Sequence, residues 1–104
     1  MSSVDLGALD DFESGAARQV KVEGRTLVLV RIDEDVYALD DRCSHEDFSL
    51  AEGEVNVAEA EIECARHGAM FRLSDGQPTS LPATRPVAHY EVVVANGRVG
   101  VVMP

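Results

Sequence analysis

The sequence predicts an all-β fold. Three observations carry that reading: the β-branched, fully apolar run "RTLVLVRI" at 25–32, an Asn96-Gly97 pair between β-branched segments, and strand signals that far outnumber helical ones. A run such as 25–32 suits a strand buried on both faces. Asn-Gly is a strong type I′ hairpin signal because both turn positions need positive φ.

The elements follow in chain order. "ARQVKV" at 17–22 alternates polar and apolar residues, Glu23-Gly24 supplies a turn, and 25–32 returns as the second strand of a hairpin. "DED" at 33–35 is the next turn and "VYALD" at 36–40 the next strand, ending just ahead of Cys43. "AEIEC" at 60–64 sets Ile62 and Cys64 against Glu61 and Glu63, and "MFRLSDGQ" at 70–77 holds a short strand closing on an Asp75-Gly76 turn. "HYEVVVANGRVGVVMP" at 89–104 is the closing hairpin. Only "SLAEGEVNVAEA" at 49–60 hints at helix, and Gly53 and its β-branched residues weigh against it. The expected architecture is therefore β-sheet with two irregular loops carrying the cysteines.

A chain of 104 residues fits one domain. No apolar run approaches the roughly 18–20 residues of a membrane span, so no membrane association is expected. The acidic start "MSSVDLGALDDFESG" lacks the basic, apolar and small-residue regions of a secretory signal, which makes a cytoplasmic protein the expectation. In that reducing compartment a structural disulfide between Cys43 and Cys64 is disfavoured, and metal or redox chemistry explains two isolated thiols better. Nineteen acidic against nine basic residues leave a formal charge of −10, which excludes nucleic acid as a natural partner and suits a basic protein surface. The plain alternative is that the acid only confers solubility.

The chemistry is concentrated in two pairs. "CSH" gives Cys43 and His45, "CARH" gives Cys64 and His67, and 18 residues separate His45 from Cys64, so four of the five Cys and His residues lie in matched pairs. Four ligands of mixed softness can hold tetrahedral zinc or an iron–sulfur cluster. A zinc finger commonly takes two cysteines from one turn and two histidines from a helix. Here each loop mixes both donor types, which suits two irons clamped from opposite sides by a sulfur and a nitrogen from each loop.

With its C-x-H and C-x-x-H pairs the chain resembles the Rieske family. The resemblance extends to Gly68 after the second histidine, to "SLAEG" leading away from the first loop, to "FRLSDGQP", and to the proline-containing "LPATRPVAHYEVVV", so that it covers roughly residues 4–102. It implies stacked antiparallel sheets with a small cluster-binding subdomain formed by two loops at about 42–73, on a basal β subdomain of 1–41 and 74–104. It implies one Rieske-type [2Fe-2S] cluster, with Cys43 and Cys64 on one iron and His45 and His67 on the other. His89 matches no family ligand and reads as structural or surface.

Two thiolates cancel the two positive charges of an oxidised [2Fe-2S] core, whereas four would leave it doubly negative, so an electron enters the mixed site more easily. Rieske centres accordingly span about −150 to +300 mV. The high-potential members add two cysteines at positions matching Phe48 and Arg66, and a serine and a tyrosine at those matching Ala69 and Phe71. Here those last two side chains donate no hydrogen bond, which predicts the low end of the range. Arg66 would act in the opposite sense unless solvent screens it. The resemblance also implies that Pro82 and Pro86 shield the cluster. Imidazole ligation predicts a potential that falls at alkaline pH.

The function this implies is a monomeric one-electron carrier, not an enzyme, since full iron coordination leaves no open position for substrate. By the same resemblance, the donor is a flavin-containing NADH-dependent ferredoxin reductase and the acceptor the oxygenase component of a ring-hydroxylating dioxygenase. Service in iron–sulfur assembly or another redox system is an alternative within the family, and a structural zinc module is the alternative of a different class.

Overall fold

The apolar run at 25–32 organises the molecule, because its side chains feed two separate interiors. In the computed structural model, which describes residues 2–43, 48–66, 68–81 and 85–103, this run is strand β3 (Arg25–Ile32). Leu27, Val28, Leu29 and Val30 are all fully buried. Leu27 and Leu29 join one apolar core and Val28 and Val30 the other, as the two-residue period of a strand dictates. Each of these side chains contributes roughly 1.5–3 kcal/mol by leaving water.

Three antiparallel sheets stack around those cores. The central four-stranded sheet runs β2 (Ala17–Val22), β3, β4 (Asp35–Asp40) and β8 (His89–Tyr90). β2 and β3 pair from Ala17↔Val30 to Val22↔Arg25 across the Glu23-Gly24 turn, and β3 and β4 from Leu27↔Asp40 to Ile32↔Asp35. On one side lies a sheet ordered β1 (Ser2–Ala8), β10 (Arg98–Met103), β9 (Val92–Ala95). Val99, Val101 and Met103 of β10 meet Leu27, Leu29, Val36 and Ala38 of the central sheet in the core between these two sheets. The third sheet is β5 (Val55–Asn56), β6 (Glu61–Glu63) and β7 (Met70–Arg72), and it shares the second core with Val28, Val30 and Leu39. The closing hairpin turns at Asn96 and Gly97, with φ of 54° and 73°.

The expected strands at 17–22, 25–32 and 36–40 are present, as are short strands within 60–64 and 70–77. The closing hairpin expected over 89–104 is confined to Val92–Met103, because His89–Tyr90 pairs instead with β4 in the central sheet. Two further features differ from expectation. The N-terminal acidic segment forms β1, paired with β10 through a bulge between Asp5 and Gly7. Its partner lies at the other end of the chain, so no local turn announces it. The segment at 49–60 is a single 3-10 turn, Leu50–Glu52, followed by β5 and a turn. Among the described residues no helix is long and apolar enough to cross a membrane.

Candidate metal centre

Both cysteines stand just beyond strand ends, and both loops are closed in the same way. After β4 the chain passes through Asp41 and Arg42 to Cys43, whose N–H donates to the carbonyl of Phe48 at 3.0 Å. After β6 it reaches Cys64, whose N–H donates to the carbonyl of Ala69 at 2.7 Å. Each bond spans five residues and ties off a short loop containing the candidate histidine. His45 and His67 themselves lie outside the described residues.

Further bonds fix each neck. At the first loop Arg42 and Ser49 form an antiparallel bridge and the Leu50 N–H donates to the Asp41 carbonyl at 2.5 Å. At the second, Glu63 pairs with Met70 and the Gly68 N–H donates to the Cys64 carbonyl at 2.8 Å. Gly68 has a φ of +76°, a left-handed conformation that explains a glycine directly after the second histidine.

The loops are also held to each other. Gly53, at the end of the 3-10 turn, packs so tightly on β6 that a Cβ would lie 1.5 Å from the Glu63 carbonyl oxygen. The Glu63 N–H donates to the Glu54 carbonyl at 2.9 Å, and the Leu73 N–H to the Ala60 carbonyl at 2.9 Å. The exit of the first loop is thereby fastened to the strand that enters the second.

Neither thiol is in a disulfide and both are buried, Cys43 at 3% and Cys64 at 0% exposure, in one core with Leu50, Ile62, Ala69 and Phe71. Their chemistry fits the sulfur side of a two-iron centre: paired soft donors, unbridged, on fixed backbone, in a water-excluding setting. Ala69 and Phe71 are completely buried, so their hydrocarbon side chains supply no hydroxyl to this region. Leu50 is fully buried in the core. Met70 is half-buried and borders an open groove with Glu54, Glu61 and Glu63, while Phe48 borders another with Gln19, Arg25, Asp40, Asp41, Arg42 and Ser49.

The segment after β7 folds back along it. The Thr79 N–H donates to the Met70 carbonyl at 2.8 Å, the Met70 N–H to the Ser80 Oγ at 3.0 Å, and Phe71 bridges Pro78. Leu81, which follows, is 78% exposed. Pro82 lies outside the described residues, Pro86 is exposed, and Val87 is buried in the core. Arg72 donates twice to Asp75, at 2.9 and 2.6 Å, bracing the turn and holding the Asp75 carboxyl at about 2, with help from the Gln77 N–H. Arg66 and His89 are both exposed.

The residue that sequence reasoning missed is Asp41. It is buried at 4% exposure, and its carboxylate accepts hydrogen bonds from Gln19 Nε2 at 2.7 Å, Ser49 Oγ at 2.6 Å and the Ala51 N–H at 2.8 Å. A buried acid two positions before a cysteine was the available signal, but its burial depends on Gln19, 22 residues away.

Comparison with known proteins gives a consistent picture. Residues 2–91 match the family model of the Rieske [2Fe-2S] domain. The chain is 36% identical over 99 residues to the 3-phenylpropionate/cinnamic acid dioxygenase ferredoxin subunit of Photorhabdus laumondii, covering 95% of this chain and 92% of that protein. Its structure is similar to the ferredoxin of carbazole 1,9a-dioxygenase from Nocardioides aromaticivorans IC177, with a TM-score of 0.94, 34% identity and 97% of each chain covered. It is also similar to a chain in a complex of reduced oxygenase and oxidized ferredoxin in carbazole 1,9a-dioxygenase, with a TM-score of 0.88, 35% identity, and coverage of 95% of this chain and 91% of that one.

Proposed function

Because the chain belongs to the Rieske [2Fe-2S] family, we propose that it is a ferredoxin that carries single electrons from a flavin-dependent reductase to the oxygenase component of a ring-hydroxylating dioxygenase. The observation that carries this reading is the pair of buried cysteines, outside any disulfide, presented by two equivalently closed loops. Relatives at 36% and 34% identity are ferredoxin components of dioxygenases, and a similar chain forms a complex with its oxygenase.

Cys43 and Cys64 would hold one iron of a [2Fe-2S] cluster and His45 and His67 the other, and the cluster would supply one-electron chemistry. The protein's part is to keep both thiolates on rigid strand ends, to exclude water with Leu50, Ile62 and Phe71, and to withhold hydroxyl donors at 69 and 71, which keeps the potential low. The region at about 42–73 is the cluster-binding part of a single domain. With a net charge of −10, the carrier meets basic surfaces on its partners, works in the cytoplasm and acts as a monomer.

The test is purification with iron and sulfide analysis, followed by reconstitution. A red-brown protein with a paramagnetic signal on reduction, required for NADH-driven hydroxylation by a reductase and oxygenase pair, is expected. A colourless protein containing zinc overturns the reading.

A further inference from the structure

Asp41 is the charged residue buried among the described residues, and the carrier role as derived above makes no use of it. Five hydrogen bonds converge on it. Besides the three donors to its carboxylate, its N–H donates to the Thr26 carbonyl at 3.1 Å and its carbonyl accepts from Leu50. Gln19 belongs to β2 and Thr26 to β3, while Ser49, Leu50 and Ala51 form the returning arm of the first loop. The residue therefore joins the central sheet to the arm whose position lets Cys43 close on Phe48.

A clamp alone does not need a charge. An amide at 41 could fill the same space and keep most of those bonds, whereas burying a carboxylate carries a desolvation penalty even when it is well hydrogen-bonded. What a carboxylate adds is a negative charge largely withdrawn from solvent, on the wall of the groove that Arg25 and Arg42 also line. Two trans peptide units separate Asp41 from Cys43, so their Cα atoms lie no more than about 7.6 Å apart. Asp40 makes a useful contrast. It is less buried, and it accepts a hydrogen bond from Tyr90 Oη, which in turn accepts one from Arg25, so its charge is screened and opposed by a cation.

Resting on the reading that Cys43 binds the cluster, we propose that Asp41 is a positioning residue for the first loop whose buried negative charge also lowers the centre's affinity for an electron. An added electron is disfavoured by a negative charge nearby, more strongly where the surroundings are apolar than where water intervenes.

Redox titration of the cluster-loaded protein tests this. Asp41→Asn is expected to favour reduction about tenfold, a shift of ~59 mV upward for one electron, with the cluster's visible spectrum and iron content kept. Asp40→Asn, the same change in net charge one residue away, is expected to shift it several-fold less. Ser49→Ala removes a donor but keeps the charge, so its potential should stay or fall. An Asp41→Asn potential equal to wild type, or equal to that of Asp40→Asn, overturns the inference. So does a rise in Ser49→Ala, which would assign the effect to loosening of the loop, and that variant decides the matter if Asp41→Asn does not fold. A wild-type protein with no reducible cluster would instead sink the carrier reading itself.

Discussion

Gly53 and Glu63 approach so closely that any side chain at 53 would place its Cβ 1.5 Å from the Glu63 carbonyl oxygen. The obstacle is backbone of the strand leading into Cys64, and backbone cannot rotate away as a flexible side chain would. Gly53→Ala should therefore cost roughly 3 kcal/mol or more, above the usual range for overpacking. Denaturant unfolding should show it, accompanied by lower iron content, because the displaced strand carries one of the thiols. Unchanged stability would mean that the two loops are not fastened at this point.

Ala69 and Phe71 put hydrocarbon where high-potential relatives carry hydroxyls. Ala69→Ser and Phe71→Tyr should each raise the reduction potential, by an amount on the order of 1 kcal/mol of hydrogen bonding gained on reduction. Voltammetry of the loaded variants measures this. If neither variant moves the potential, the missing hydroxyls do not set it, and Asp41 becomes the leading candidate.

The Arg72–Asp75 pair has a defined acid signature. Asp75 sits at about 2, below its ordinary 3.8, chiefly through the two hydrogen bonds from Arg72. The folded form thus binds fewer protons than the unfolded chain between those values. Any stability from the pair is fully present above 3.8 and is lost as pH falls through about 2. Both groups are exposed, so the stability effect is small and screened by salt. The titration itself is the sharp readout: NMR should find Asp75 still ionised at about pH 3, and Arg72→Ala should return it toward 3.8.

Tyr90 gives the opposite sign. Its hydroxyl donates to Asp40 Oδ1 at 2.7 Å and accepts from Arg25 Nη1 at 3.1 Å, and desolvation followed by the Asp40 bond raises its ionisation above 10.0. The folded state therefore holds this proton more tightly than the unfolded chain does. The associated stability is complete below pH 10.0 and is lost as pH rises through the folded value. Tyr90→Phe should cost about 1 kcal/mol at neutral pH and flatten the alkaline fall in unfolding free energy. A fall of equal steepness in the variant would place its origin in another group.

What the sequence made legible was local. The apolar run at 25–32, the Asn96-Gly97 turn and the matched Cys and His spacings each lie within a few residues of one another, and each states its own requirement. What stayed hidden depends on distant partners. β1 is defined by pairing with β10 at the other end of the chain, a partner that no local turn announces. Asp41 reads as one more surface acid until Gln19 and Ser49 close over it. Gly53 reads as a helix breaker, whereas its role is set by Glu63, which lies on another strand.

The division of β3 between two cores has a consequence for anyone wishing to transplant the site. Val28, Val30 and Leu39 of the central sheet complete the interior in which Cys43 and Cys64 sit. A peptide cut out to carry only the two loops would leave one side of that interior open to water, where Val28, Val30 and Leu39 now close it. Grafting the centre into a designed scaffold thus requires the hairpin beneath it as well, and the smallest transferable unit is larger than the stretch bearing the ligands.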